Sequence, residues 1–250
     1  ASWNWKANGA GSANTDGSIS STVSASATSG FSVVTYTGNN TNGATVGHGL
    51  GVIPSMVIVK KLSATRDWMV KHKDLTSNHN ISLNTTAAQF NSPVNGWISN
   101  LTSNQTISFS IGSSDIDNVN QGAQQYVAYC FADVQGYSKF GSYTGNGNAD
   151  GTFVYTGFKP AWVMMKNTSN ATSSNWLILD NKRDTYNVAD SHLDADNSDA
   201  ESSASWVNTD FLSNGFKLRT SDETINESTN TFIYMAFAEQ PLVGDNPATA

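Results

Sequence analysis

The chain repeats itself, and the repetition limits what it can fold into more than any other feature. Tyr36-Thr37-Gly38-Asn39 returns 107 residues later as Tyr143-Thr144-Gly145-Asn146. Gly51, Pro54 and Lys60 recur as Gly157, Pro160 and Lys166, each at a spacing of 106. Trp68 is matched by Trp176 at 108, and Trp97-Ile98 by Trp206-Val207 at 109. Phe109-Ser110-Ile111 is matched by Phe216-Lys217-Leu218 at 107, and Tyr126–Asp133 by Phe232–Glu239 at 106. The landmarks keep their order while the spacing drifts by only a few residues, as insertions in loops would make it drift. One such match is chance; the ordered series predicts a duplicated unit, one copy near 31–136 and the other near 137–243, with 244–250 as a short tail. Units of this size can bury their own cores.

Each unit reads as strands. Phe31–Tyr36 is β-branched and aromatic and stops at Gly38-Asn39. Ser55–Lys60 and Ala161–Lys166 are nearly continuous apolar runs, the pattern of strands buried on both faces. Each follows a proline, which is tolerated where a strand opens. Leu62–Asp67 with Trp68–His72 reads as a hairpin, and Ile107–Ile111 alternates as a strand with one wet face does. The helix candidates, 85–89 and 196–201, span about one turn each. The chain is rich in Asn, Ser, Thr and Gly, yet a disordered chain would lack its aromatic and β-branched clusters. The predicted fold is all-β, two tandem β-sandwich-like repeats.

The first thirty residues form a third echo. Trp3-Asn4-Trp5-Lys6-Ala7 resembles the closing strand Tyr129–Asp133, so residues 1–30 read as the terminal strand of a preceding unit followed by a Gly/Ser/Thr-rich connector from Gly9 to Gly30. Such a strand needs a sheet edge, in this chain or in a neighbouring copy. Trp3 and Trp5 are therefore the candidate assembly contacts. A frayed end cut from a longer polypeptide is the alternative reading.

Charge narrows the partners. Thirteen Lys and Arg stand against twenty Asp and Glu, a formal net charge of −7. Basic residues never form a run, so no nucleic-acid partner is expected. No apolar stretch approaches ~20 residues, so no membrane insertion is expected. The opening residues lack the basic and apolar regions of a signal peptide and read as a mature or internal segment. The single cysteine, Cys130, precludes an intrachain disulfide.

The string WNWKANG…GFSVVTYTGN…TVGHGLGVIPSMVIVK, with the later YVAYCFAD and FIYMAFAE, resembles an uncharacterised β-rich repeat domain of virion structural and tail-fibre-like proteins of bacteriophages, marine ones especially. The likeness rests on Gly47-His48-Gly49-Leu50-Gly51, Pro54, Trp68 and the Ala-Phe-Ala-Glu ending. It implies a non-enzymatic virion component (tail fibre, spike or capsid-surface protein), with a virion or extracellular location and with other copies and other virion proteins as partners. The second unit departs from it, having Tyr155-Thr156-Gly157-Phe158 in place of the His48 segment.

Reactive constellations are weak. His48 sits among glycines with no nucleophile or carboxylate suggested nearby, and reads as part of a turn. Lys71-His72-Lys73 and His79 make a poor metal set, because lysines repel a cation. The histidines show no zinc spacing, and no cofactor motif or nucleophile elbow occurs. Asp194, Asp196 and Asp199 alternate with other oxygen-bearing residues and form a weak calcium candidate, without the Gly and Glu of an EF-hand loop; a solvated loop is the plainer reading, and no metal is expected. Asp184, Asp190, Asp222 and Glu223 give no sequence reason to converge as a glycosidase pair. Tryptophans raise a second function class, carbohydrate binding or host adhesion through a cell-surface polysaccharide. Trp97 and Trp206 are its candidate residues; Trp68 and Trp176 read as core.

Overall fold

A computed structural model describes residues 3–91, 97–110, 118–170 and 174–239. The end of the Ile107–Ile111 strand, Ala1 and the tail at 244–250 lie outside them. The chain is all-β and divides into two compact units. One holds Trp5–Leu83 and Gln89–Asp133; the other begins at Val134 and also takes in Trp3, Asn4 and Asn84–Ala88.

The first unit comprises β1 (Ser12–Asn14), β2 (Ser21–Ser26), β3 (Phe31–Thr37), β4 (Thr45–Gly47), β5 (Met56–Lys61), β6 (Met69–His72), β7 (Ile81–Ser82), β8 (Trp97–Ile98), β9 (Thr106–Ser110) and β10 (Gln125–Phe131). Its large sheet runs in the order β1-β2-β3-β10-β5-β6-β7 and its small sheet β4-β9-β8. The second unit comprises β11 (Ser138–Thr144), β12 (Phe153–Tyr155), β13 (Pro160–Asn167), β14 (Leu177–Asp180), β15 (Ser191–Asp194), β16 (Ser202–Ser203), β17 (Thr209–Leu212), β18 (Gly215–Leu218) and β19 (Thr231–Ala238). Its sheets run β11-β19-β13-β14-β15-β16 and β12-β18-β17. Strand for strand, β3-β10-β5-β6-β7 corresponds to β11-β19-β13-β14-β15, and all the ladders are antiparallel.

Alternation places the cores. Val34 and Tyr36, Val57 and Val59, and Tyr126, Ala128 and Cys130 point inward from the large sheet, and Val46, Ile98, Ile107 and Phe109 meet them from the small one. In the second unit Tyr143, Val163, Met165, Phe232 and Tyr234 meet Val154, Phe211, Phe216 and Leu218. Volume is traded between the copies: Val34 pairs with Ala128, whereas Gly141 pairs with Tyr234. A Cβ on Gly141 would stand 2.7 Å from the Tyr234 hydroxyl, so the large ring requires the glycine. Burial holds the Cys130 thiol protonated, pushing it up to about 12.

The amino-terminal expectation is only partly matched. Residues 3–8 lie in no strand. The Gly/Ser/Thr-rich connector instead folds, with β1 on β2 and the whole of β2 along Phe31–Tyr36 of β3. Leu62–Asp67 is the loop of the β5–β6 hairpin rather than a strand, and neither 85–89 nor 196–201 is helical. The one described α-helical turn, Glu223–Asn226, is capped by Asp222, whose Oδ1 accepts from Thr224 N at 2.9 Å.

Candidate functional site

The repeated tetrapeptide is a structural device. Tyr36 Oη donates to Val119 O (2.6 Å) and Tyr143 Oη to Ile225 O (2.8 Å), both from fully enclosed rings whose ionisation burial strongly opposes. Next in the chain, Gly38 N bonds Gln124 O, and Gly145 N bonds Asn230 O. The chains cross so closely there that a Cβ would stand 2.2 Å from Gln121 O at Gly38, and 2.1 Å from Glu227 O at Gly145. The Asn then docks on a second, wholly buried Asn. Asn39 N donates to Asn120 Oδ1 and Asn146 N to Asn226 Oδ1, each at 3.0 Å. Asn120 Nδ2 returns bonds to Asn39 Oδ1 and Thr41 O; Asn226 Nδ2 does so to Asn146 Oδ1 and Asn148 O. A further pair recurs: Asn80 clamps both backbone groups of Ile98, and Asn187 those of Phe211.

Buried basic groups are also structural. His48 is buried, with Nδ1 accepting from Leu50 N (3.2 Å) and Nε2 3.4 Å from Ser103 O; burial lowers its pKa. The glycines beside it, Gly49 and Gly51, take positive φ. Lys71 Nζ donates to Thr76 O and His79 O, and Lys166 Nζ to Thr86 O and Ser174 O. Burial lowers both amines to about 8.

The candidate site residues are placed as follows. Trp3 packs edge-on against Trp162 (6.2 Å) under the Arg183 guanidinium, and Trp5 packs against Phe31 and Phe131. Both assembly candidates thus have partners inside this chain. Trp97 is half-buried in β8 opposite Ser110, whereas Trp206 lies in the 3-10 turn Ser205–Val207. Trp176 is buried, but Trp68 is half-buried, stacked on Tyr129 and covered by Lys60. The three aspartates do not converge. Asp194 Oδ2 accepts from Asn175 (2.7 Å) and Asn197 (3.1 Å), Asp196 accepts from Trp176 N (2.8 Å), and Asp199 is exposed. Burial raises the Asp196 carboxyl. Among the described residues no group of three potential ligands could hold a metal ion.

Trp206 and Asp194 are nevertheless brought together. With Asn175, Asp222, Glu223 and Thr224 they line a cleft of about 330 Å³. His192, buried at the back of Trp206, meets its ring edge-to-face at 4.7 Å. Asp194 Oδ1 and His192 Nδ1 are enclosed and have no hydrogen-bond partner among the described residues. The cleft offers acceptors beside an aromatic wall, so it favours ligands that donate hydrogen bonds and repels anions. Asp222 and Glu223 reach it because the Asp222-capped turn sets them at its rim. Sequence spacing joined neither to Trp206. The asparagine clamps were also missed; Val119-Asn120 and Ile225-Asn226, 106 apart, were the available signal.

These features define an all-β protein of two duplicated, sandwich-like units, held by the same polar anchors and bearing an acidic, aromatic-walled cleft on the second. The chain belongs to the family described as a domain of unknown function (DUF7483), which it matches over residues 1–241. No curated protein matches the chain, and no solved structure does.

Proposed function

We propose that the chain is a non-enzymatic structural protein of a bacteriophage particle, a tail fibre, spike or capsid-surface component that works by assembly through repeated β-units. The phage setting rests on the resemblance of the quoted motifs. The observation that carries the structural role is what the two units hold in common: tyrosine anchors, glycine crossings and asparagine clamps, all of which fix packing. The features that differ between the copies (His48, the Trp206 cleft) lie outside that shared hardware. Sedimentation of the full chain over a concentration series tests the reading. Self-association is expected, and a monomer at every concentration refutes it.

A second reading, carbohydrate binding in host adhesion, draws on the Trp206 cleft, where Asp194, Asp222 and Glu223 stand beside the indole. Sugar hydroxyls supply donors and a pyranose face packs on an indole. The acidic rim predicts neutral or amino sugars rather than uronic acids. Trp206→Ala should weaken binding on a glycan array by tenfold or more; an array without hits removes this reading.

A further inference from the structure

The small sheet of the second unit carries an aromatic face that its counterpart in the first does not. Register fixes which side chains share it. Across the strands, Tyr155 stands opposite Gly215 and Gly215 opposite Leu212; in the next row Phe153 stands opposite Lys217 and Lys217 opposite Asp210. Val154, Phe216 and Phe211, which alternate with these, point into the core. The row therefore faces outward, and Phe153 and Tyr155 are 43% and 65% exposed. A Cβ on Gly215 would stand 3.1 Å from Phe153 Cε2, so the ring lies close over the glycine.

The face extends past the sheet. Ala189 pairs with Thr209, and the Asn187 side chain clamps Phe211. This holds the preceding loop, in which Val188 and Tyr186 are 41% and 86% exposed, along the edge of β17. These four are all of the large exposed hydrophobics of the second unit among the described residues. The corresponding rows of the first unit pair Thr45 with Ser108 and Gly47 with Thr106, and the ring on that side of its sheet, Trp97 opposite Ser110, is half-buried rather than exposed. Clustered, outward aromatics of this kind mark an interaction surface.

Charge indicates the occupant. Copies of a chain with a formal net charge of −7 repel one another over most of their surface. On this face the charges are paired: Lys217 Nζ lies 2.9 Å from Asp150 Oδ1, and Arg219 Nε bonds Asp210 Oδ2. These pairs leave the row with little net charge to oppose a second copy or to attract a strongly charged partner.

We propose that Phe153, Tyr155, Tyr186, Val188 and Leu212 form a self-association surface, on which a second copy seats the same face about a two-fold axis. This rests on the assembly reading and replaces Trp3 and Trp5 as its contacts. Sedimentation velocity of the full chain, wild type against Tyr155→Glu, Tyr186→Glu and the control Thr45→Glu, tests it, with circular dichroism confirming the fold of each variant. Wild type and Thr45→Glu should share one dimerisation constant, and each tyrosine variant should weaken it at least tenfold. Because Tyr186 is a loop residue, its variant tests the surface even if Tyr155→Glu disturbs β12. Dimers of unchanged strength in both tyrosine variants overturn this surface but leave assembly standing elsewhere. A wild type that stays monomeric overturns both. A monomer whose glycan binding is lost in the tyrosine variants assigns the face to sugar and overturns the proposal.

Discussion

Replacing Gly38 by alanine should destabilise the first unit by about 2–4 kcal/mol, and Gly145→Ala should do the same to the second. Neither glycine has a positive φ, so the argument is one of space alone. At Gly38 the new methyl would lie 2.2 Å from Gln121 O and 2.8 Å from Asn120 C; at Gly145, 2.1 Å from Glu227 O and 2.7 Å from Asn226 C. These neighbours are backbone, which no rotamer change can move. Relief requires parting the strand end from the facing loop, and overpacking of that kind costs roughly 1–3 kcal/mol. Parting them also stretches the Asn39–Asn120 or Asn146–Asn226 clamp, whose bonds are worth about 1 kcal/mol each. Urea unfolding followed by hydrogen exchange, read separately for peptides of each unit, measures the loss. Gly122→Ala is the control: it lies in the same loop, and its Cβ would meet only Asn40 Cβ at 3.4 Å. A loss below about 1 kcal/mol at Gly38 and Gly145, or one equal to that of the control, would refute the close-crossing argument.

Tyr36→Phe and Tyr143→Phe should each cost about 1–3 kcal/mol in the same assay, since each leaves a buried carbonyl without its donor; losses within error would make the hydroxyls dispensable. Stability should rise with pH from about 8 to 9. Lys71 and Lys166 titrate near 8 when folded and at 10.5 when unfolded, so the penalty for burying their charge is fully present below 8 and fades above it. Above 9 the trend weakens, because buried Cys130 keeps its proton to about 12 while an unfolded thiol releases it. Thermal melts of Lys71→Met/Lys166→Met should lack the rise, and an unchanged slope would show that these amines are not its source.

The strands and the duplication were legible because both depend on repetition: inward residues alternate with period two, and the copies keep their spacing. Ser55–Lys60 and Tyr126–Ala132 announced β5 and β10 in this way. The β1–β2 hairpin was not legible. Ser21–Ser26 carries one large apolar residue, Val23, and its pairing with β3 comes from backbone bonds that small polar side chains do not advertise. Asn80, Asn120, Asn187 and Asn226 were hidden by composition, since in a chain this rich in asparagine a clamp and a turn residue look alike. The Trp206 cleft joins β15, a 3-10 turn and a capped helical turn, and sequence spacing does not say that loops so far apart meet. The aromatic face was not legible either: only the register of β12 on β18 turns Val154 in and leaves Phe153 and Tyr155 outside.

Duplication supplies its own control for reading function. A feature present in both copies is explained by the need to fold, because both copies must fold; the tyrosine anchors, glycine crossings and asparagine clamps belong here. A feature present in one copy needs another reason. In the first unit these features include the β1–β2 hairpin, which completes the large sheet, His48, whose two ring nitrogens face Leu50 N and Ser103 O within a turn, and the exposed Val52, Ile53 and Leu62. The hairpin and the histidine serve the unit's own structure. In the second they are the aromatic face around Gly215, which lies outside the core, and the cleft at Trp206, whose ring packs on the core from one side and lines the cleft on the other. Tyr155 and Tyr186 are more than half exposed, and the enclosed Asp194 Oδ1 has no hydrogen-bond partner among the described residues. An exposed ring adds nothing to folding stability and an unpaired enclosed carboxylate oxygen lowers it, so folding alone requires neither. By this comparison the two proposals, a sugar cleft and a self-association face, both rest on features of the second unit that its folding does not require.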